Sequence, residues 1–265
     1  MQRKVIKNKW VRIFLYVLTA LIVIPASGYF ALQSPAAQTW LTNRIAGYFS
    51  MKWGTTVRIS GVDVELFKKV VLEGVFVEDL HHDTLLYSKK LKVDIGEFNR
   101  DSNTIFLRNV ILQDAVCNLK KYKNDSVLNL QFIVDEFAST DTTRSKGKKW
   151  KLTVGAVTLN DVRFIYRDEK DTSHVRGINY FDLQANAING KISDIWFDAD
   201  TIRFALERFS LKEKSGFQLK ELSSNEASIS PARLVLNQAR IFTNNSQITA
   251  SIGFKYKSYS DFTRF

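Results

Sequence analysis

The chain has 265 residues, a single cysteine and a formal net charge of +11. One cysteine, Cys117, excludes an intrachain disulfide, so the fold rests on its own burial. Most of the charge is local: five cations without an acid stand in residues 1–12, five more in 144–151 beside Asp141, and about +2 remains elsewhere, which fits a topogenic flank and a solvated loop better than a phosphate-tracking face, so no nucleic-acid partner is expected.

In chain order, Arg3, Lys4, Lys7, Lys9 and Arg12 form a basic flank (1–12) expected on the cytoplasmic side of a membrane. Residues 13–32 carry no charge, and twenty helical residues span roughly the 30 Å hydrocarbon core. A secretory signal cut near Pro25-Ala26-Ser27-Gly28 is the alternative. Apolar character resumes at Tyr29, Phe30, Ala31 and Leu32, which favours a retained transmembrane anchor with the rest of the chain outside.

Ser34 followed by Pro35 starts a helix as N-cap and first-turn proline. Over 34–53 the apolar positions Ala37, Trp40, Leu41, Ile45, Tyr48 and Phe49 gather near one face, and with Trp53 they suit a bilayer boundary or the following sheet. From Thr56 the period changes to two. Strands are expected at 57–66, 70–77, 91–95, 105–112, 116–122, 152–159, 162–166, 181–187, 202–206, 232–236 and 248–256, in two segments, 56–138 and 152–265. No long helical period interrupts them, which disfavours a βαβ sheet. Residues 139–151 (STDTTRSKGKKWK) read as a mobile basic loop between the segments. Self-similar stretches place Gly61, Gly74, Gln113-Asp114 and Asn160-Asp161 at apparent turns, and a repeated β unit predicts an elongated stack.

The order of basic flank, apolar helix, amphipathic helix, "GVDVELFKKVVLEGVFVEDLHHDTLLYSKKLKVDI", "LNLQFIVDEF", polar gap and "LTVGAVTLNDVRFIYRD" resembles the N-terminal part of TamB/AsmA-like envelope proteins, over essentially the whole chain. The resemblance lies in order, with no catalytic signature, and typical members are far longer. It implies an inner-membrane-anchored periplasmic β-groove, a twisted sheet with an apolar inner face, engaged in phospholipid transport between inner and outer membranes or in outer-membrane assembly with an outer-membrane partner of the Omp85 class.

Candidate groove residues follow from alternation: Val162, Phe164 and Tyr166; Phe181, Leu183, Ala185 and Ala187; Ile202, Phe204 and Leu206. Such a face can hold acyl chains by area alone. The competing reading is an anchored scaffold that docks a protein through its sheet edge. Chemistry is sparse. His81-His82 reads as a solvated loop pair with His174 far away, Cys117 as a core thiol, and Asp168-Glu169, Asp198 and Asp200 as ordinary turn or surface acids. Nucleotide-loop and nucleophile-elbow motifs are absent, so neither an enzyme, a metal nor a cofactor is expected. The aromatic run ending at Phe265 loses period two after Tyr256 and does not read as a barrel strand.

Overall fold

A computed structural model describes residues 19, 23, 27–31, 33–65, 68–138, 151–171, 176–198 and 200–257. The expected basic flank, most of the 139–151 loop, His174 and Phe265 lie outside these residues. Of the expected 13–32 anchor, Thr19, Val23 and 27–31 are described, all helical. No helix among the described residues is long and apolar enough to cross a membrane.

The protein is mainly β. Helix α1 (Pro35–Trp53) begins as expected: Ser34 Oγ accepts from the Ala37 N–H, Pro35 fills the first turn, and Gly54 at φ 66° ends the helix in a conformation a side chain would disfavour. Twelve strands follow: β1 (Val57–Arg58), β2 (Gly61–Glu65), β3 (Lys69–Glu78), β4 (Thr84–Asn99), β5 (Thr104–Lys121), β6 (Lys151–Val154), β7 (Val157–Asp168), β8 (Asp182–Asp198), β9 (Thr201–Glu213), β10 (Gln218–Ser230), β11 (Arg233–Thr243) and β12 (Gln247–Lys255), with α2 (Gln131–Ala138) between β5 and β6. All twelve belong to one sheet in the order β1-β3-β4-β5-β7-β8-β9-β10-β11-β12, with β2 beside β3 and β6 beside β5. Neighbours are antiparallel except β5, which runs parallel to β6 and β7 after the α2 crossover. β1 and β12 stand at opposite ends, so the sheet is open. Ten strands side by side extend about 45 Å at about 4.8 Å per strand. Outside the sheet, α1 lies on β1 and β2.

One device recurs across the sheet. Six strands place a mid-strand residue in the left-handed region: Gly74 (φ 58°), Asp114 (48°), Asp161 (52°), Ala187 (50°), Arg208 (48°) and Gln238 (48°). These positions stand side by side. Glu73, Lys90, Gln113 and Asn160 pair in sequence across β3, β4, β5 and β7, and the β7–β8, β8–β9, β9–β10 and β11–β12 registers shift at the same level. At Asp161, Ala187, Arg208 and Gln238 the register shift marks a bulge, which bends its strand, whereas Gly74 and Asp114 turn left-handed with the register to their neighbours unbroken. The N–H turned out of the ladder is caught by a neighbour: Asp161 N–H by Asn189 Oδ1 (2.9 Å), Arg208 N–H by Ser223 Oγ (3.1 Å), Gln238 N–H by Ser251 Oγ (3.0 Å).

The aligned bulges fold the sheet along a crease, and burial tells the inside from the outside. Residues beside the crease on the apolar side are small and nearly inaccessible, as Ala115 (2%) and Ala239 (0%) are, together with Val75, Val162 and Ile188. The bulge residues Asp161, Arg208 and Gln238 are exposed. Bulky groups fit only away from the crease, and Gly190 (φ 149°) clears space for Phe209: a Cβ there would sit 2.7 Å from the Phe209 Cα.

Two serines complete the crease. Ser88 Oγ shares its hydrogen between Lys90 O (2.9 Å) and Gln113 O (3.2 Å), and Ser224 Oγ repeats this with Glu226 O (2.9 Å) and Asn237 O (2.7 Å). Ser224→Ala is expected to destabilise the fold by about 1–2 kcal/mol, because buried carbonyls lose their donor. Chemical denaturation with an unchanged midpoint would contradict this.

Several expectations change. The Gly74, Gln113-Asp114 and Asn160-Asp161 "turns" lie inside single strands, as left-handed residues at Gly74 and Asp114 and a bulge at Asp161, so 105–112 and 116–122 are one strand, β5. The 57–66 stretch is two short strands, and β10 and α2 arise where no element was expected. Polar Ser, Asn and Glu dominate β10, and only Leu219, Leu222, Ala227 and Ile229 mark its inner face.

Candidate functional site

The inner face of the creased sheet is apolar from strand to strand. Cross-strand partners share a face, and the pairings form rungs: Leu72, Leu91, Leu112, Leu159, Gly190; Val70, Val93, Val110, Val157, Ile192, Leu206; Phe204, Ala227, Leu236, Ile252. Beyond the crease Val77, Leu86, Cys117, Phe164 and Ala185 form another. The face continues across the bend, because Leu112, Leu159, Phe164, Phe209 and Leu211 pack round Ala115, Val162, Ala185 and Ile188. The outer face carries cross-strand ion pairs instead, including Lys90–Glu73 (3.3 Å), Arg167–Asp182 (3.3 Å) and Lys191–Glu207 (2.9 Å).

Eight of the ten expected groove residues lie on this face. Val162, Phe164 and Tyr166 pair with Ile188, Ala185 and Leu183, while Ile202, Phe204 and Leu206 stand on the other side of the crease, paired with Phe197 and Ile229, Ala227, and Ile192. Two are corrected. Phe181 precedes β8, and its carbonyl accepts from the Asp168 N–H. Ala187 is the bulge residue of its strand, so the alternation slips and Ile188 takes the inward place. The signal that reveals the rest is a frame shift, apolar-x-apolar-polar-polar-apolar-x-apolar, as in Val110 to Cys117 and Val157 to Phe164.

Little covers the face. Among the described residues every fully buried apolar side chain is Val, Leu, Ile or Ala, and no Phe, Tyr or Trp is buried. A closed core hides its aromatic rings. Among the described residues helical cover lies at the β1 end: Phe49 and Trp53 of α1 and Leu130, Phe132 and Ile133 at α2 pack on Val57, Val75, Val77 and Leu85. Cys117 stands half-buried on this face between Leu86 and Phe164, and burial pushes its thiol up from the usual range.

The helical cover is pinned by a polar cluster. Asp79, fully buried, accepts from the N–H groups of His81 (2.9 Å) and Asp83 (3.0 Å), from Tyr122 Oη (2.8 Å) and from Asn129 Nδ2 (2.8 Å). His81 is thus not simply solvated: its Nε2 meets Asp125 Oδ2 at 2.9 Å and its ring stacks 3.9 Å from Tyr122. His82 turns to Glu78 (3.5 Å). Among the described residues no group of three or more His, Cys, Asp or Glu is placed to hold a metal.

Four carboxyls on the rim bearing the β3–β4 and β9–β10 turns are held below their ordinary range, Glu78 among them through a hydrogen bond from Thr56. Lys120 and Tyr122 lower Asp83, and Lys214 and Arg167 lower Asp182. Burial pushes Glu213 up, but donors from Ser215, Gln184 and Lys214 outweigh it. A depressed folded pKa stabilises the fold above the unfolded value and loses that contribution as pH falls through the folded one. Stability is therefore expected to be flat from pH 7 to about 5 and to fall below about pH 4. A thermal midpoint that rises between pH 5 and 3 would refute it.

Comparison with protein-family models and with characterised proteins gives no match.

Proposed function

We propose that this protein is an inner-membrane-anchored β-groove whose creased, apolar inner face carries phospholipid acyl chains between inner and outer membranes, in support of outer-membrane biogenesis, as its resemblance to TamB/AsmA-like proteins implies. The observation that carries the reading is a single-layer sheet with a continuous apolar face on which, among the described residues, no aromatic ring is fully buried. Each CH2 group placed against it contributes about 0.8 kcal/mol, so a chain binds by area without a polar pocket. No chemical step is assigned to the protein, and an Omp85-class partner at the outer membrane belongs to this reading. Among the described residues no strand pairs with the outer edge of β12, which favours the second reading, a scaffold that docks a partner by strand addition.

The native cysteine tests the first reading directly. Lipid in the groove would cover Cys117, so maleimide is expected to react severalfold faster after lipid is stripped, and phospholipid is expected in the extract of the purified chain. Equal rates together with a lipid-free extract would leave the scaffold.

A further inference from the structure

The two long rims of the folded sheet differ. One carries the β3–β4, β9–β10 and β11–β12 turns and is stitched by charge: Lys120–Asp83, Lys121–Asp168 and Lys214–Asp182. The other carries the β2–β3, β4–β5, β8–β9 and β10–β11 turns. Every Phe and Trp that the described residues of the sheet expose stands on this second rim: Phe98 (62%), Trp196 (66%), Phe197 and Phe254. Exposed Arg100, Lys151, Arg203, Arg233 and Lys255 are interleaved with them, alongside the exposed acids Glu65, Glu97, Asp101, Asp200 and Asp198, the last paired with Arg203 (3.4 Å).

The chain itself says what faces this rim. Gln33 Nε2 donates to Val64 O (2.9 Å) at the rim end of β2, whereas Ser50 Oγ accepts from the Val57 N–H (2.9 Å) near the opposite level, so α1 rises from the aromatic rim. Phe30 and Trp40, the remaining exposed Phe and Trp among the described residues, lie at its foot. The uncharged stretch 13–32, long enough for a bilayer, therefore ends at the same edge. Aromatic rings interleaved with Lys and Arg beside such a stretch suit the bilayer interface.

We propose that the aromatic rim rests on the lipid bilayer, so that the groove lies along the membrane surface and acyl chains enter sideways over the rim. End-on entry at β1 is blocked by α1 and α2, which cover that end of the apolar face. The inference rests on the anchor reading above.

The test uses the full chain in vesicles of phosphatidylethanolamine and phosphatidylglycerol. Two variants carry Cys117→Ser and one new cysteine each, Trp196→Cys on the aromatic rim or Asn245→Cys at the β11–β12 turn, labelled with an environment-sensitive dye. With brominated acyl chains, the label at position 196 is expected to be quenched severalfold more than the label at 245, and an aqueous quencher should reverse the order. Vesicle-bound protein with both labels in water overturns the rim contact alone, as does quenching of both by lipid. A chain that fails to float with vesicles overturns the anchor reading and this inference with it. Quenching at 196 that persists when phosphatidylglycerol is omitted assigns the contact to the aromatic rings and still supports it.

Discussion

Leu183→Asp and Phe204→Asp are expected to leave the sheet folded and to remove bound phospholipid, whereas Ala239→Asp is expected to unfold it. All three residues face inward, but they differ in what surrounds them. Leu183 and Phe204 are half-buried and stand away from the crease, on parts of the face that α1 and α2 do not cover. An aspartate there meets water once lipid leaves, so folding costs little, while acyl chains against an ionised group cost several kcal/mol. Ala239 lies at the inside of the bend with no accessible surface. A carboxylate there has neither water nor a cation, and about 4 kcal/mol or more of stability is expected to be lost. The measurement is thermal unfolding and bound phospholipid on the same preparations. Unfolding of Leu183→Asp and Phe204→Asp to the extent of Ala239→Asp would mean that the face is an ordinary closed core, and the groove reading would fail.

How far the sequence foretold this arrangement depended on period. Alternation alone marked the strands that run without interruption to the crease, and so it placed Val162, Phe164 and Tyr166 on one face. It failed where two polar residues interrupt the pattern. Asn160-Asp161 looks like a turn because Asn and Asp are turn residues and tolerate positive φ. Here the same tolerance serves a bulge, and the chain continues in the same strand. The same slip misassigned Ala187, where a count of two along β8 steps over a left-handed residue. β10 escaped notice for another reason: its outward positions are Ser, Glu, Lys and Asn, and two serines near the crease serve backbone groups with their hydroxyls, a role that carries no hydrophobic signal.

The α2 cover was also illegible, and its dependence on one carboxylate yields the other large expected effect. "LNLQFIVDEF" is apolar at intervals that suit a strand or a helix, and what decides is remote: Asn129, just ahead of α2, donates to Asp79 fifty residues earlier and accepts from the Lys120 N–H with its Oδ1 (2.9 Å). Asp79→Ala would take an acceptor from four donors at once: the His81 and Asp83 N–H groups of the β3–β4 turn lose theirs outright, while Tyr122 Oη keeps Asp83 Oδ2 (2.9 Å) and Asn129 Nδ2 keeps Asn118 O (3.1 Å). Buried donors left without partners cost about 1–3 kcal/mol each, partly relieved by relaxation, so a loss of about 3–5 kcal/mol is expected. At about 2–4 °C per kcal/mol for a chain of this size, the thermal midpoint should fall by about 10 °C. The loss should also be local before it is global. Without Asp79, Asn129 is tied only to Lys120 and Asn118 on β5 and no longer to the β3–β4 turn, and Phe132 and Ile133 are expected to lift more readily from Val75, Val77 and Leu85, opening the covered end of the apolar face. Hydrogen exchange should therefore accelerate over 131–138 at temperatures where β7 to β9 stay protected. Asp79→Asn, which keeps one carbonyl oxygen for two of the four donors, should lose less. An unchanged midpoint with α2 still protected in Asp79→Ala would show that apolar packing alone holds the cover.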